Sequence, residues 1–190
     1  MLTTFTALYD ANVLYSATLR SLLVYLAMSE LFRARWTERI HDEWTESLLR
    51  ERPDLLPENL AKTRKLMNAH VEDSIISGYE SLVEGLQLPD PKDRHVLAAA
   101  IHGRADVIVT YDLKDFPAST LACYGIEAQH PDIFITHLFD LNPWAVIESV
   151  QRQRSHLKNP PVSAEAFLDK LERLQLPLTA WHLREYLEIL

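Results

Sequence analysis

The sequence predicts an α/β protein built on a parallel sheet whose strands are buried on both faces. Three observations carry this. Val107-Ile108-Val109 is a β-branched run too brief for a helix and typical of a strand with no wet face. It follows a small-residue apolar stretch, Val96-Leu97-Ala98-Ala99-Ala100-Ile101, that reads as a helix with Gly103 as its C-terminal stop. Both strand-like runs also end on acids: Asp10 follows residues 5–9, and Asp112 and Asp115 follow residues 107–109. In open parallel sheets ligands bind beyond the carboxyl ends of the strands. Acids at that edge, rather than mid-strand, point to chemistry.

At 190 residues the chain suits one domain with room for an appendage, and it can bury a substantial core. Its 47% hydrophobic and 24% charged residues are ordinary for a globular protein. No apolar run reaches about 18 residues, so no membrane span is expected. The opening MLTTFTALYD lacks the basic start and apolar centre of a signal peptide. The single cysteine, Cys123, excludes an internal disulfide framework and fits a reducing cytoplasm. A net charge of −8 argues against nucleic-acid binding by general basicity. Carboxylates that hold divalent cations would make the working charge less negative than that formal count.

In chain order, Phe5-Thr6-Ala7-Leu8-Tyr9 reads as the first strand, followed by Asp10, Asn12 and the apolar pair Val13-Leu14. Leu19, Leu22, Leu23, Leu26 and Leu31 recur at helical spacing across residues 17–31. A second helix is expected over residues 37–51, N-capped by Thr37 and ended by Pro53. Ile40, Trp44 and Leu48 define its packed stripe. At about 100° per residue, Glu43 lies roughly 100° from the stripe's centre and Glu46 about 160°. A site glutamate flanks a buried face more naturally than it opposes one, which favours Glu43 over Glu46.

Pro57 opens a helix running to about His70, whose Lys62, Arg64 and Lys65 read as a solvated face. Ile75-Ile76 and Leu82-Val83 are expected as buried anchors in the less regular stretch that follows. After the central helix and strand, residues 124–128 read as a last short strand, and Asp132 as the cap of a helix carrying Ile133, Phe134, Ile135, Leu138 and Phe139. Residues 141–190 are expected as a helical appendage to a domain over residues 1–140. Within it are a helix over 144–158 with the basic segment Gln151-Arg152-Gln153-Arg154, a break at Asn159-Pro160-Pro161, and a helix capped by Ser163. Pro177 reads as a second break before a final amphipathic segment from Trp181 to Leu190. The basic segment is either a solvated face or an RNA-binding patch.

The candidate constellation is Asp10, Glu43, Asp93, Asp112 and Asp115, each beside the end of an apolar element. Two carboxylates about 4 Å apart repel by roughly 4 kcal/mol at an effective dielectric of 20. Protonation or a divalent metal relieves such repulsion. All-oxygen donors without matching histidine or cysteine favour Mg²⁺ or Mn²⁺ over Zn²⁺. Such a site, with one or two metals, can orient water and stabilise in-line displacement at a phosphate. Each acid also has an ordinary reading: Asp93 as an N-cap, Asp90 as a turn residue. His95 and His102 read as surface or core-edge histidines. Phosphate-cradling Gly-rich loops, Cys-x-x-Cys pairs and Gly-x-Ser-x-Gly elbows are missing from the sequence.

Four motifs in order resemble those of PIN-domain nucleases. Asp10-Ala11-Asn12-Val13-Leu14 is similar to the first motif, and Glu43 stands where the family places its helical glutamate. Asp93-Arg94-His95-Val96-Leu97-Ala98-Ala99-Ala100 is similar to the third, and Val109-Thr110-Tyr111-Asp112-Leu113-Lys114-Asp115-Phe116-Pro117 to the fourth. The likeness spans roughly residues 5–140 and is greatest to VapC-like toxins of toxin–antitoxin pairs, in the branch with a C-terminal helical extension. It implies a three-layer α/β/α fold with a central parallel sheet and a Mg²⁺- or Mn²⁺-dependent endoribonuclease of the cytoplasm. Asp10, Glu43 and Asp93 would be the principal metal ligands and catalytic residues, with Asp112 and Asp115 completing the set. RNA would be the substrate and a small antitoxin protein the partner. Many relatives carry Asn where this chain has Asp112, which shifts weight to Asp115. Asp90 has no counterpart and stays a turn residue. Other readings of the set are a housekeeping RNA-maturation or flap nuclease and a catalytically idle PIN-like module that binds a partner through its tail. The tail itself could cap the sheet, dock the antitoxin or form a homodimer surface.

Overall fold

A computed structural model of the chain describes residues 4–158 and 160–190. The first three residues of the N-terminal reading and Asn159 of the expected break lie outside the described residues. Four short strands, β1 (Thr6–Tyr9), β2 (Arg33–Arg35), β3 (Val107–Val109) and β4 (Glu127–Gln129), form one parallel sheet in the order β2-β1-β3-β4. The register pairs Ala7 with Ala34 and with Val107, and Ile108 with Ala128. Every residue of β1 and β3 is buried, as expected of central strands covered by helices on both faces. The result is a three-layer α/β/α arrangement with further helices at its C-terminus. Among the described residues no helix is long and apolar enough to cross a membrane.

The helices before the central strand are α1 (Ala11–Tyr15), α2 (Ala17–Ala27), α3 (Glu38–Glu51), α4 (Pro57–His70) and α5 (Arg94–His102). Thr37 caps α3 as expected, accepting from the Ile40 N–H at 3.0 Å. Leu31 falls outside α2, because the chain reverses after Ala27 through a left-handed Glu30 at φ 60°. That reversal delivers β2, a strand the sequence hides: Arg33 and Arg35 flank a lone buried Ala34, too little apolar pattern to read. Arg64 is not merely solvated but spans Glu38 at 2.6 Å and Asp42 at 2.7 Å, tying α4 to α3. Ile76 is a buried anchor and its N–H donates to the Trp36 carbonyl at 2.8 Å, whereas Leu82 is exposed in a 3₁₀ turn.

Gly103 ends α5, but not by taking a left-handed conformation; its φ is −79° and the left-handed residue is Arg104 at φ 52°. Glycine is required there by contact. A Cβ would stand 2.4 Å from Ile76 Cδ1 and 3.0 Å from the Ala99 carbonyl. Beyond β3 come α6 (Ala118–Leu121), then β4, which starts later than the expected residue 124 because Ala122–Tyr124 forms a 3₁₀ turn closed by Gly125 at φ 69°.

The remaining helices are α7 (Pro131–Leu141), α8 (Pro143–Ser155), α9 (Ala164–Arg173) and α10 (Pro177–Arg184). Two sequence expectations are corrected here. Pro177 does not break a helix but occupies the first position of α10, where its missing N–H costs nothing. Asp132 does not cap α7, whose N-cap is His130; its buried carboxylate instead accepts from the N–H groups of Leu178 (2.9 Å) and Thr179 (2.8 Å) and from the Thr179 hydroxyl (2.7 Å). It therefore satisfies the orphan donors at the start of α10. The basic segment is also largely committed. The Arg154 guanidinium donates to the carbonyls of Val162 and Leu190, Gln153 is buried and donates to the Thr18 carbonyl, and Arg152 pairs with Glu148. The helices of the expected appendage share one hydrophobic core with the sheet, through Val150, Phe167, Leu171 and Leu183.

Removing the Asp132 carboxylate leaves three donors at the start of α10 without their acceptor. Asp132→Ala is expected to lower stability by about 2–4 kcal/mol in urea denaturation. A loss under about 0.5 kcal/mol would show that α10 does not depend on this cap.

Candidate active site

The two central strands hand over their ends side by side. The ladder runs one residue past each strand: Asp10 N–H donates to the Val109 carbonyl at 3.1 Å and Thr110 N–H to the Gln129 carbonyl at 3.0 Å. From β1 the chain proceeds to β2 on one side, and from β3 to β4 on the other. Asp10 and Thr110 thus flank the crevice at the topological switch point.

Asp10 is buried and caps α1, its Oδ1 accepting from Ala11 N–H at 2.7 Å. Its Oδ2 accepts from the Thr110 hydroxyl at 2.8 Å and the Asn12 amide at 2.9 Å. The same Asn12 amide reaches Asp112 Oδ2 at 3.2 Å, and Thr110 Oγ1 accepts from Asp112 N–H at 3.0 Å. Asn12 and Thr110 therefore join Asp10 to Asp112. Neither was singled out from sequence, although both sit inside the motifs around Asp10 and Asp112. Their short polar side chains next to strand-end acids were the available signal.

Glu43 comes from α3. That helix buries a wider face than the stripe suggested, with His41 and Thr45 joining Ile40 and Trp44. Glu43 lies at the rim of this face, while Glu46 is exposed. Glu43 Oε1 accepts from Arg39 Nε at 3.2 Å and lies 2.8 Å from His95 Nε2. His95 is buried, not a surface or core-edge histidine, because the start of α5 turns it under Glu43. His102 is exposed, as expected.

Asp93 ends a 3₁₀ turn just before α5 in helical conformation, and its carboxylate makes no capping bond. The N-cap reading fails for it. Burial, and then the charges of Asp10, Asp90, Asp115 and Asp112, push the Asp93 carboxyl up to about 7. Burial likewise raises Asp10 to about 6, against the lowering effect of its bonds from Thr110 and Ala11, and Glu43 adds to the rise. Asp90 does sit in a turn, its carboxylate accepting from Lys92 N–H at 2.8 Å. Asp115, in a 3₁₀ turn after β3, is half-buried and Asp112 is exposed.

The fold thus gathers all five predicted acids into one electrostatic neighbourhood from four separate stretches of chain. Among the described residues no three His, Cys, Asp or Glu side chains converge closely enough to hold a metal ion as they stand. Donors already occupy Asp10 Oδ2 and Glu43 Oε1. The donor chemistry nevertheless fits a hard divalent cation, since the set offers carboxylate oxygens of the kind Mg²⁺ and Mn²⁺ take.

This carries a pH dependence. Asp10 and Asp93 have folded values above the 3.8 of an ordinary aspartate, so the stability they permit is present below about pH 4 and is lost as pH rises through about 6 and 7. Asp93→Asn should therefore stabilise the metal-free chain at pH 8 by about 1–2 kcal/mol, a figure reduced for the solvent around this half-exposed group, and should have little effect at pH 4. Paired denaturation curves at the two pH values check this; destabilisation at pH 8 would return Asp93 to a capping role.

Comparison with known proteins adds the following. A family model described as "PIN domain" matches residues 6–114, and one described as "VapC50 C-terminal domain" matches residues 131–185. A Mycobacterium tuberculosis (strain ATCC 25618 / H37Rv) protein named "Putative ribonuclease VapC50" is 40% identical over 94 residues, covering 50% of this chain and 55% of that protein. The chain thus spans about half the length of the curated relative it matches. No solved structure matches it.

Proposed function

Because this chain belongs to the PIN-domain family, with the family's model covering residues 6–114, we propose that it is a divalent-metal-dependent endoribonuclease acting as the toxin of a toxin–antitoxin pair. The observation that carries the reading is the placing of Asp10, Glu43, Asp93, Asp112 and Asp115 near the carboxyl edge of β1 and β3, where burial first, and then the charges of neighbouring acids, raise Asp10 to about 6 and Asp93 to about 7. The relative named as a ribonuclease supports RNA as substrate. Resemblance to VapC-like toxins supports a cytoplasmic setting and a small antitoxin as partner.

Asp10, Glu43 and Asp93 would hold Mg²⁺ or Mn²⁺, with Asp112 and Asp115 completing the set. Bound there, the cation supplies a more acidic water and a counter-charge for the phosphodiester under attack. The chain's own residues prepare the place. Thr110 and Asn12 fix Asp10 by hydrogen bonds to Oδ2, so one carboxylate of the set keeps a single orientation. Asn12 holds Asp112 beside it. The Asp93 carboxylate, with no hydrogen bond among the described residues, is free to turn toward a cation or to keep a proton. The surrounding acids repel a phosphate backbone until they are neutralised, which makes cation binding a precondition for the nucleic acid.

Purified chain should cleave single-stranded RNA with Mg²⁺ or Mn²⁺ and not in EDTA. Asp10→Asn and Asp93→Asn should each lower the rate by at least about 100-fold. Undiminished cleavage in EDTA sinks the metal reading. Growth arrest on expression without an antitoxin separates a toxin from a housekeeping or flap nuclease, and absence of any Mn²⁺ effect on thermal stability favours an idle binding module.

A further inference from the structure

Outside the acid cluster, α2, α4 and α8 border an open groove of about 530 Å³. Its ionisable lining is one-sided. Arg20, His70, Arg152 and His156 line it together with Tyr25, and among the described residues no carboxylate does. On a chain with a net charge of −8, this is a local concentration of basic side chains.

Arg20 is the most buried of the four, at 8% exposed. Its guanidinium lies 4.4 Å from the centre of the Trp44 ring, and Nη1 donates to the carbonyls of Leu14 at 2.6 Å and Tyr15 at 3.1 Å. Capping the end of α1 in this way uses Nη1 alone. Among the described residues Nε and Nη2 have no hydrogen-bond partner, and no carboxylate pairs with the group. A buried cation is ordinarily accompanied by an acid. Burial lowers this one only to about 10, so it stays charged at neutral pH. Arg152 is the arginine of the basic segment that is not spent on backbone carbonyls. Its 2.7 Å pair with Glu148 is an exposed contact within one helix, which an incoming anion displaces at little cost.

The rest of the groove is apolar and aromatic. Val24, Met28 and Leu66 line it, and the rings of Tyr25 and His156 stand 6.0 Å apart, tilted by 32°. Guanidinium groups take phosphates, and flat rings beside apolar side chains take unstacked bases. An acidic peptide would use the cations and leave the rings without a purpose. We propose that the groove between α2, α4 and α8 holds single-stranded RNA, with Arg20 and Arg152 on phosphates and a base against Tyr25, His156 and Leu66. The inference rests on the reading of RNA as substrate, and it supplies the cations that the acid cluster lacks for holding a phosphate backbone.

The test is fluorescence anisotropy of a short labelled single-stranded RNA with the full chain in EDTA, where the acid cluster holds no cation and cleavage does not intervene. The unaltered chain should bind, with affinity falling as salt rises. Arg20→Gln and Arg152→Gln should each weaken binding by about 5–10-fold and flatten the salt slope by roughly 0.7. Leu66→Glu, which places an acid on the groove wall, should weaken it at least as much. Leu56→Glu, at a still more exposed leucine outside the groove, should change it by less than about 2-fold. If Arg20→Gln does not fold, Arg152→Gln and Leu66→Glu carry the test. No binding in EDTA, groove variants that match the unaltered chain, or an equal loss in Leu56→Glu would each overturn the assignment. Equal competition by polyglutamate would overturn it too and make the groove a site for an acidic protein. Cleavage with Mg²⁺ is measured separately: its absence beside intact groove binding removes the nuclease reading alone, and cleavage beside unaffected groove variants removes this inference alone.

Discussion

The burial of carboxylates around Asp10 is the constraint on which the candidate site depends. Desolvation is the largest cost on both Asp10 and Asp93, and the charges of neighbouring acids add to it. Donors are arranged to contain that cost: the Thr110 hydroxyl and the Asn12 amide on Asp10, and Arg39 on Glu43. They do not cancel it. Asp93 has burial and four acids against it, and its carboxylate makes no hydrogen bond among the described residues in return.

Holding such a cluster requires a stiff frame, and the sheet supplies it. β1 and β3 are fully buried and paired in register up to the residues that carry the site. On the other flank of β1, Tyr9 stacks on Trp36 at 6.0 Å between ring centres, and Phe5, Phe32 and Phe134 complete an aromatic core. The Tyr9 hydroxyl donates to the Leu23 carbonyl, so even this buried polar group is satisfied. Asp10 is thus the first residue beyond a strand that cannot shift without disturbing the core.

The C-terminal helices bear on the same frame. The hydroxyl of Tyr111, one residue after Thr110, donates to the Leu174 carbonyl at 2.7 Å, just past the end of α9. Asp132 secures α10 to the start of α7, and Gln153 and Ser149 secure α8 to the backbone of α2. Through Tyr111 the extension therefore braces the loop that carries Thr110 and Asp112, while Arg154 is spent on backbone carbonyls within the extension itself.

What the sequence determined by itself was whatever a local pattern encodes. The β-branched run of β3, the Pro57 and Thr37 helix starts, and acids placed just past apolar elements are all short-range signals, and together they reach the fold class and single out five acids as candidates. Where a residue's role depends on a distant partner, the pattern was silent or misleading. The Asp132 carboxylate looks like a local cap but binds a helix 46 positions away. Arg33-Ala34-Arg35 becomes a strand only because β1 offers it a ladder. Gly103 is glycine for the sake of Ile76, and His95, unremarkable on its own helix, is placed against Glu43 by the packing of α5 on the sheet. Identity and spacing select which acids can form a site; only tertiary packing decides how far each is desolvated, which donors reach it, and so how much repulsion is left for a cation to relieve.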